Sequence, residues 1–103
     1  DMFCVVYKFY VDPAKQEQFK EGWRAVTLAL KAECGGLGSR LHQDQNGNWI
    51  AYAQWPDQAT WEKSGGVSAD AERGRKLMMD SFKSGAQKPE VIYMLDVIDD
   101  LLE

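Results

Sequence analysis

The stretch at residues 38–55, GSRLHQDQNGNWIAYAQW, decides the fold because it has the pattern of a β-hairpin. Asn46-Gly47 tolerates positive φ at both positions and predicts a two-residue type I′ turn. Side chains alternate on either side of that turn. The first strand alternates Ser39, Leu41 and Gln43 with Arg40, His42 and Asp44, and the second alternates Trp49, Ala51, Ala53 and Trp55 with Ile50, Tyr52 and Gln54.

Both ends of the chain also have the pattern of strands. Residues 2–11, MFCVVYKFYV, are rich in β-branched and aromatic residues, which fit a pleated surface. The closing segment, PEVIYMLDVIDDLL, predicts a strand from about residue 90 and is apolar on both sides around Tyr93 and Leu95. A strand that is apolar on both faces is covered on both faces.

Three helices are predicted between these strands. Asp12 and Pro13 suit a helix start, and an apolar stripe from Phe19 to Cys34 predicts an amphipathic helix over residues 13–34. Asp57 predicts the cap of a short helix anchored by Trp61. Ser68 predicts the cap of a third helix, which extends to the glycine at residue 85.

The order of elements predicts an α+β fold of the ferredoxin-like type. Strand, helix, hairpin, helix pair and strand give β-α-β-β-α-β, with an antiparallel four-stranded sheet in a single domain over residues 1–103. Such a sheet packs its helices on one face, whereas these strands are apolar on both. An open apolar face is too large a patch for a monomer, so we expect a homodimer with two sheets packed face to face.

The charge of the chain argues against nucleic acid and membrane surfaces as partners. The net charge is −4, and the 12 basic residues form no cluster. An anionic membrane would be repelled for the same reason. The chain has no apolar run of membrane-spanning length, and its start lacks the features of a signal peptide, so we expect a cytoplasmic protein.

The cysteine and histidine content argues against a metal site. The chain has two cysteines, Cys4 and Cys34, no CxxC pair and the single histidine His42, which is too few ligands for zinc. Two reduced, buried thiols of a cytosolic protein are expected, with a redox pair as the alternative. No motif for a flavin is visible either, so no cofactor is expected.

Two segments resemble the antibiotic biosynthesis monooxygenase superfamily. They are YKFYVDPAKQEQFKEGWR, at residues 7–24, and GGLGSRLHQDQNGNWIAYAQWPDQATWE, at residues 35–62. The most specific part is the YAQWP-x-x-x-x-W run from Tyr52 to Trp61. The resemblance covers nearly the whole chain and implies a dimeric α+β barrel built from two ferredoxin-like protomers.

The resemblance implies more than one activity. Some relatives oxidise anthrones, quinols or other electron-rich phenols with O₂ and no cofactor, because the deprotonated substrate reduces oxygen directly. Others degrade haem with an Asn on the first strand, a Trp after the hairpin and a His further on. Trp61 could match that Trp, but the other two residues are missing here. A non-catalytic dimer that binds a small ligand or regulates a partner is the alternative.

His42 and Arg40 are the candidate catalytic residues. His42 has a side chain whose unperturbed pKa suits proton transfer near neutral pH. Arg40 lies on the same face of the predicted strand and could hold a phenolate or oxyanion. Both also have structural alternatives: His42 could be hydrogen-bonded on the sheet or at the dimer seam, and Arg40 could pair with Asp44 or with an acidic residue across the dimer.

Aromatic side chains are the candidate substrate-binding residues. The set is Trp61, Trp55, Tyr52, Tyr7 and Trp23. The alternatives are core packing for Trp23, a staple at the helix start for Trp55 and Trp61, and hydrogen bonds within the fold for the tyrosines. The enzyme hypothesis predicts a closed apolar cavity between sheet and helices, with His42 or a tyrosine hydroxyl at its polar end.

Overall fold

The computed structural model describes residues 2–66, 68–86 and 88–102. Its strands and helices are, in chain order, β1 (Phe3–Phe9), α1 (Gln16–Glu33), β2 (Gly38–Gln43), β3 (Trp49–Trp55), α2 (Gln58–Glu62), α3 (Ala69–Met79) and β4 (Glu90–Asp96). The four strands form one antiparallel sheet in the order β2-β3-β1-β4. The predicted ferredoxin-like arrangement is therefore confirmed, including the helix pair α2 and α3.

β1 is a central strand whose alternate side chains point toward the helices. Val5 lies opposite Ala53 of β3 and opposite Met94 of β4, with a register shift after Val6. Phe3, Val5 and Phe9 are buried in the hydrophobic core. The apolar alternation of the first strand therefore places one set of its residues against the helices.

The helix α1 begins three residues later than predicted. The Asp12 carboxylate accepts a hydrogen bond from the Ala14 N–H at 2.9 Å, as a cap does, but Pro13–Lys15 forms a turn of 3-10 helix. The α-helix proper begins at Gln16, after Lys15 departs from helical backbone angles. It ends as predicted where Gly35 takes a φ of 78°.

The hairpin turn differs from the predicted type I′ turn. Only Gly47 has a positive φ, of 81°, and Asn46 does not. The Asp44 carboxylate accepts hydrogen bonds at 2.9 Å from the N–H groups of Asn46 and Asn48 and from the Asn48 amide. These bonds favour a longer connection, in which the Gly47 N–H donates to the Asp44 carbonyl.

The helix α3 is shorter than predicted. Ser68 caps it, with the Ala71 N–H donating to its hydroxyl at 3.3 Å, but the helix ends at Met79 and not at residue 85. Phe82 instead forms an isolated β-bridge with Val11 and is buried. Tertiary packing of Phe82 therefore overrides the helical pattern of the segment.

The helices α1 and α3 pack closely because glycines lie at their contact. A Cβ added to Gly22 would stand 2.5 Å from the Met78 nitrogen and 2.8 Å from the Gly74 carbonyl oxygen. A Cβ added to Gly74 would stand 2.8 Å from the Ala25 methyl carbon. Both helices are thereby held at a fixed height over one face of the sheet.

The other face of the sheet, the open face, is not covered by these helices. It carries Val6, Ile50, Tyr52, Tyr93 and Leu95, placed by the strand register. Tyr93 is 60% exposed and Leu95 is 42% exposed. The segment after β4 adds further exposed apolar side chains, Ile98, Leu101 and Leu102. Within the described ranges, no helix has both the length and the apolar character needed to cross a bilayer.

Candidate functional site

A cavity of about 260 Å³ lies between α1 and the sheet. Trp23, Val26 and Leu30 of α1 form its roof, and Ala51 and Ala53 of β3 form its floor. The two alanines occupy positions that face the helices, where their small side chains leave the space open. The cavity is therefore mainly apolar, as is typical of small-molecule sites.

Tyr7 lines this cavity and carries a hydroxyl group. Its oxygen accepts a hydrogen bond from the Trp61 indole N–H at 2.7 Å. Burial raises the pKa of Tyr7 above its ordinary value, although the bond from Trp61 partly opposes the rise. Tyr7 is therefore neutral near pH 7, and its own hydroxyl proton is available to donate to a bound oxygen.

Trp61 fixes the position of the Tyr7 hydroxyl. Its ring packs against Phe3, with ring centroids 5.7 Å apart. It is not among the residues that line the cavity. Trp61 is therefore not a wall of this cavity. It packs within the fold and supports the Tyr7 hydroxyl from behind.

Trp55 and Trp23 both line the cavity. Trp55 is 3% exposed, and its indole N–H is buried with no hydrogen-bond partner among the described residues. Trp23 lies on the half-buried side of α1 and also packs against the core. Core packing and cavity lining are thus combined in Trp23, whereas the sequence presented them as alternatives.

The polar residues of the cavity lining include no carboxylate and no imidazole among the residues that the structure describes. They are Tyr7, Thr27, Lys31, Ser39, Gln54, Ser64 and Arg75. The Arg75 guanidinium is paired with the Glu72 carboxylate at 2.7 Å. The cavity therefore offers hydrogen-bond donors and positive charge but no ordinary protein base.

A groove of about 380 Å³ lies next to the cavity, at the β2 edge of the sheet, and is lined by residues of α1, β2 and β3. The groove and the cavity share several residues: Trp23, Thr27, Lys31, Gly38, Ser39 and Gln54. Arg24, Arg40 and Tyr52 line the groove but not the cavity. The two spaces are therefore neighbours that share this part of their lining.

His42 lies outside both spaces. It is exposed and belongs to the set of β2 residues opposite Ile50 and Tyr52, on the open face. Its Nδ1 lies 3.1 Å from the Ile50 carbonyl oxygen, which can only accept, so Nδ1 carries a hydrogen and donates this hydrogen bond. The structure thus places His42 in a hydrogen bond on the sheet and away from the cavity.

Arg40 and Tyr52 lie in the groove, on the same side of the sheet as His42. Arg40 is exposed and forms no ion pair with Asp44, whose carboxylate is bound within the hairpin turn. The Tyr52 hydroxyl lies 3.1 Å from the Cys4 sulfur, and this hydrogen bond raises the pKa of Tyr52. Cys4 is buried and Cys34 is half-buried, and both are free thiols.

The structure therefore divides the candidate residues of the sequence into three groups. The cavity brings together Tyr7, Trp23 and Trp55, and the groove contains Arg40 and Tyr52. His42 and Trp61 line neither. Sequence reasoning missed Lys31, which lines both spaces, because its place on α1 is typical of an exposed lysine. The alternation of Ala51 and Ala53 was the available signal for a cavity floor.

No cluster of metal ligands occurs in the part of the chain that the structure describes. Within it, no group of three or more His, Cys, Asp or Glu side chains is arranged to hold an ion. The chemistry that the site offers is that of an apolar space with a fixed hydroxyl donor and nearby cations.

Comparisons with known proteins agree with this fold. SnoaB of Streptomyces nogalater, a cofactor-independent oxygenase, is 13% identical over 100% of this chain and 99% of its own, with a TM-score of 0.73. A Caulobacter crescentus CB15 protein provisionally assigned to the antibiotic biosynthesis monooxygenases is 21% identical over 95% of this chain and 91% of its own, with a TM-score of 0.74. Rv0793 from Mycobacterium tuberculosis is 15% identical over 98% of this chain and 99% of its own, with a TM-score of 0.72.

At these identities the solved structures show a common fold. No curated protein matches the chain. Residues 2–66 match the family model named antibiotic biosynthesis monooxygenase, and this match includes β1, α1, the hairpin and α2. Because the matched residues make up more than half of the sequence, the chain belongs to the antibiotic biosynthesis monooxygenase family.

Proposed function

We propose that the protein is a cofactor-independent monooxygenase that oxidises an electron-rich aromatic molecule, of the anthrone or quinol kind, with O₂. The observation that carries the proposal is the apolar cavity lined by Tyr7, whose hydroxyl is held by Trp61. Family membership supports a monooxygenase, and SnoaB, which has the same fold, is a cofactor-independent oxygenase.

The reaction needs an environment more than it needs a cofactor. An anthrone first loses a methylene proton and becomes an electron-rich anion. The anion transfers one electron to O₂, and the two radicals combine at carbon to form a hydroperoxide after protonation. Loss of water then gives the quinone, so one oxygen atom of O₂ enters the product and the other leaves as water.

Tyr7 has the central role in this proposal. A neutral hydroxyl held by Trp61 donates a hydrogen bond to the oxygen on which the charge of the anion accumulates. Lys31, which lines both spaces, and Arg40, which lines the groove, add positive potential. Because no carboxylate or imidazole of the described residues lines the cavity, the proton leaves to solvent through the groove.

Of the two catalytic candidates from the sequence, Arg40 keeps a place in the proposal as a stabiliser of the anion. His42 has none, because it lines neither the cavity nor the groove. The experiment that distinguishes the two roles is oxygen uptake by the purified protein with a panel of anthrones and quinols. We expect His42→Ala to keep the wild-type rate.

Tyr7→Phe is the variant that tests the hydroxyl directly. Removing one donor to a developing oxyanion lowers kcat by about 10²-fold in other enzymes. We expect a loss of about 10- to 100-fold here, with Tyr10→Phe as the matched control, because the Tyr10 hydroxyl is exposed and bonds to Glu90. Unchanged uptake in Tyr7→Phe would contradict the proposed role.

The second candidate function is a dimer that binds a small aromatic ligand without turnover. The absence of a carboxylate or imidazole from the described cavity lining favours it. This second function predicts that the protein binds the same aromatic compounds and takes up no oxygen with any of them. Haem degradation is less consistent with the site, because the Trp61 N–H is already engaged by Tyr7.

We also propose that the protein is a homodimer whose two open faces pack together. The exposed apolar side chains of β4 and of the segment after it support the proposal, since a second copy of the same face would cover them. Tyr93→Glu places a charge on the open face and should give a monomer by light scattering. The control Ser84→Glu adds the same charge in an exposed turn and should remain dimeric.

A further inference from the structure

The groove beside the cavity carries three cationic side chains and no acidic one among the described residues. The three are Arg24, Lys31 and Arg40. In the described part of the chain, none of them lies within ion-pair distance of a carboxylate. The chain as a whole has 16 acidic and 12 basic residues, so this groove differs in sign from the average of the molecule. Its local potential favours an anion.

The six residues that line both the groove and the cavity are here called the passage, and Lys31 is one of them. Its Cδ, Cε and Nζ atoms are 3.7, 3.9 and 3.9 Å from the point where a Cβ on Gly38 would stand. Gly38 has a φ of 118°, which favours glycine, and it lines both spaces together with Lys31. The ammonium group therefore lies near the first residue of β2.

The hydrogen-bonding groups around this passage are suited to a carboxylate. Thr27, Ser39 and Gln54 line both spaces and can each donate a hydrogen bond. An ammonium and neutral donors together satisfy more of the acceptor sites of a carboxylate than a single cation does. An uncharged aromatic ring would use only the apolar part of the site.

We propose that the aromatic molecule bound in the cavity bears a carboxylate, which Lys31 binds at the passage, with Arg24 and Arg40 on its outer side. The aromatic part of the ligand rests on the proposed function. The carboxylate part rests on the groove and adds a substrate class, the aromatic acids. Because all three cations are exposed, the preference is moderate and declines as salt concentration rises.

The test compares two probes that do not react with O₂, anthraquinone-2-carboxylate and anthraquinone-2-carboxamide. Quenching of tryptophan fluorescence reports binding, since Trp23 and Trp55 line the cavity. We expect the wild-type protein to bind the carboxylate about three- to tenfold more tightly at low salt. Lys31→Gln should abolish the preference and Lys31→Arg should keep most of it. The control Lys83→Gln removes the same charge at a residue that lines neither space, and this variant should keep the full preference for the carboxylate.

The outcomes separate this inference from the proposed function. Equal affinity for the two probes in the wild-type protein, or a preference that survives in Lys31→Gln, overturns the inference and leaves the oxygenase proposal intact. A preference lost in Lys31→Gln, in a protein that takes up no oxygen, supports the inference and refutes the oxygenase. Failure of both probes to bind overturns the inference together with the aromatic site.

Discussion

The contact between α1 and α3 makes a sharp prediction for Gly22→Ala. Alanine is the better helix former by about 1 kcal/mol, so propensity alone predicts a more stable protein. The added Cβ, however, would stand 2.5 Å from the Met78 nitrogen, 2.7 Å from the Met78 Cα and 2.8 Å from the Gly74 oxygen. All three are backbone atoms, which cannot rotate away, so the helices must separate by roughly 1 Å.

This separation sets the size of the loss. A gap of that size forfeits a quarter to a half of the dispersion energy across the contact, and overpacking costs about 1–3 kcal/mol and sometimes more. Three backbone contacts below 3 Å place Gly22→Ala at the upper end of that range. After the propensity gain of about 1 kcal/mol is subtracted, we expect the free energy of unfolding to fall by about 2 kcal/mol. With a urea slope of about 1.5 kcal/mol per M, the midpoint falls by roughly 1.3 M.

Urea unfolding at one fixed protein concentration, followed by circular dichroism, measures this shift. Gly74→Ala should lose less, about 1 kcal/mol, because the one atom closer than 3 Å to its Cβ is the Ala25 methyl carbon at 2.8 Å. Gly65→Ala is the control: its Cβ would meet no atom within 4 Å, and its free energy of unfolding should stay within about 0.5 kcal/mol of wild type. A Gly22→Ala protein as stable as the wild type would refute the close contact.

Three further predictions concern pH and capping. Because the pKa of Tyr7 is raised, its contribution to stability is complete below the ordinary tyrosine pKa of about 10 and is lost as pH rises through the folded-state value. In urea titrations at alkaline pH, the free energy of unfolding of Tyr7→Phe should therefore decline less steeply with pH than that of the wild type. Hydrogen bonds, first from the Asn48 side chain, lower the pKa of Asp44, and we expect Asn48→Ala to raise that pKa toward its ordinary value in an NMR titration. Ser68→Ala removes the α3 cap and a hydrogen bond to Glu33, so thermal unfolding should show a loss of about 1 kcal/mol.

The order of elements could be predicted because local signals agree with the fold along most of the chain. Asp57 caps α2, with the Thr60 N–H donating to its carboxylate at 2.7 Å, as its position before a helix predicts. The errors arose where a longer-range contact decided the structure. Phe82 leaves the helical pattern to pair with Val11, and the Asp44 carboxylate selects a turn that the Asn-Gly pair alone does not indicate.

The candidate site could be predicted only in part. Aromatic residues near the hairpin indicated a cavity, and Tyr7, Trp23 and Trp55 do line one. Whether the His42 side chain lies on the helix-covered face or on the open face, however, depends on which side of the sheet the helices cover. The strand β2 itself is too polar to indicate that side. Lys31 enters the site because α1 crosses above β2, a relation that no local pattern in the sequence contains.

The pKa of an anthrone bound to the protein, read from its visible absorption in the absence of O₂, shows directly whether the site stabilises the anion. An apolar cavity without a donor disfavours the anion and raises the pKa of the bound anthrone. We predict the opposite: the pKa of the bound anthrone falls by about one unit, and most of this decrease is lost in Tyr7→Phe. A pKa that rises on binding, or that falls equally in Tyr7→Phe, would contradict the claim that the Tyr7 hydroxyl stabilises the reactive anion.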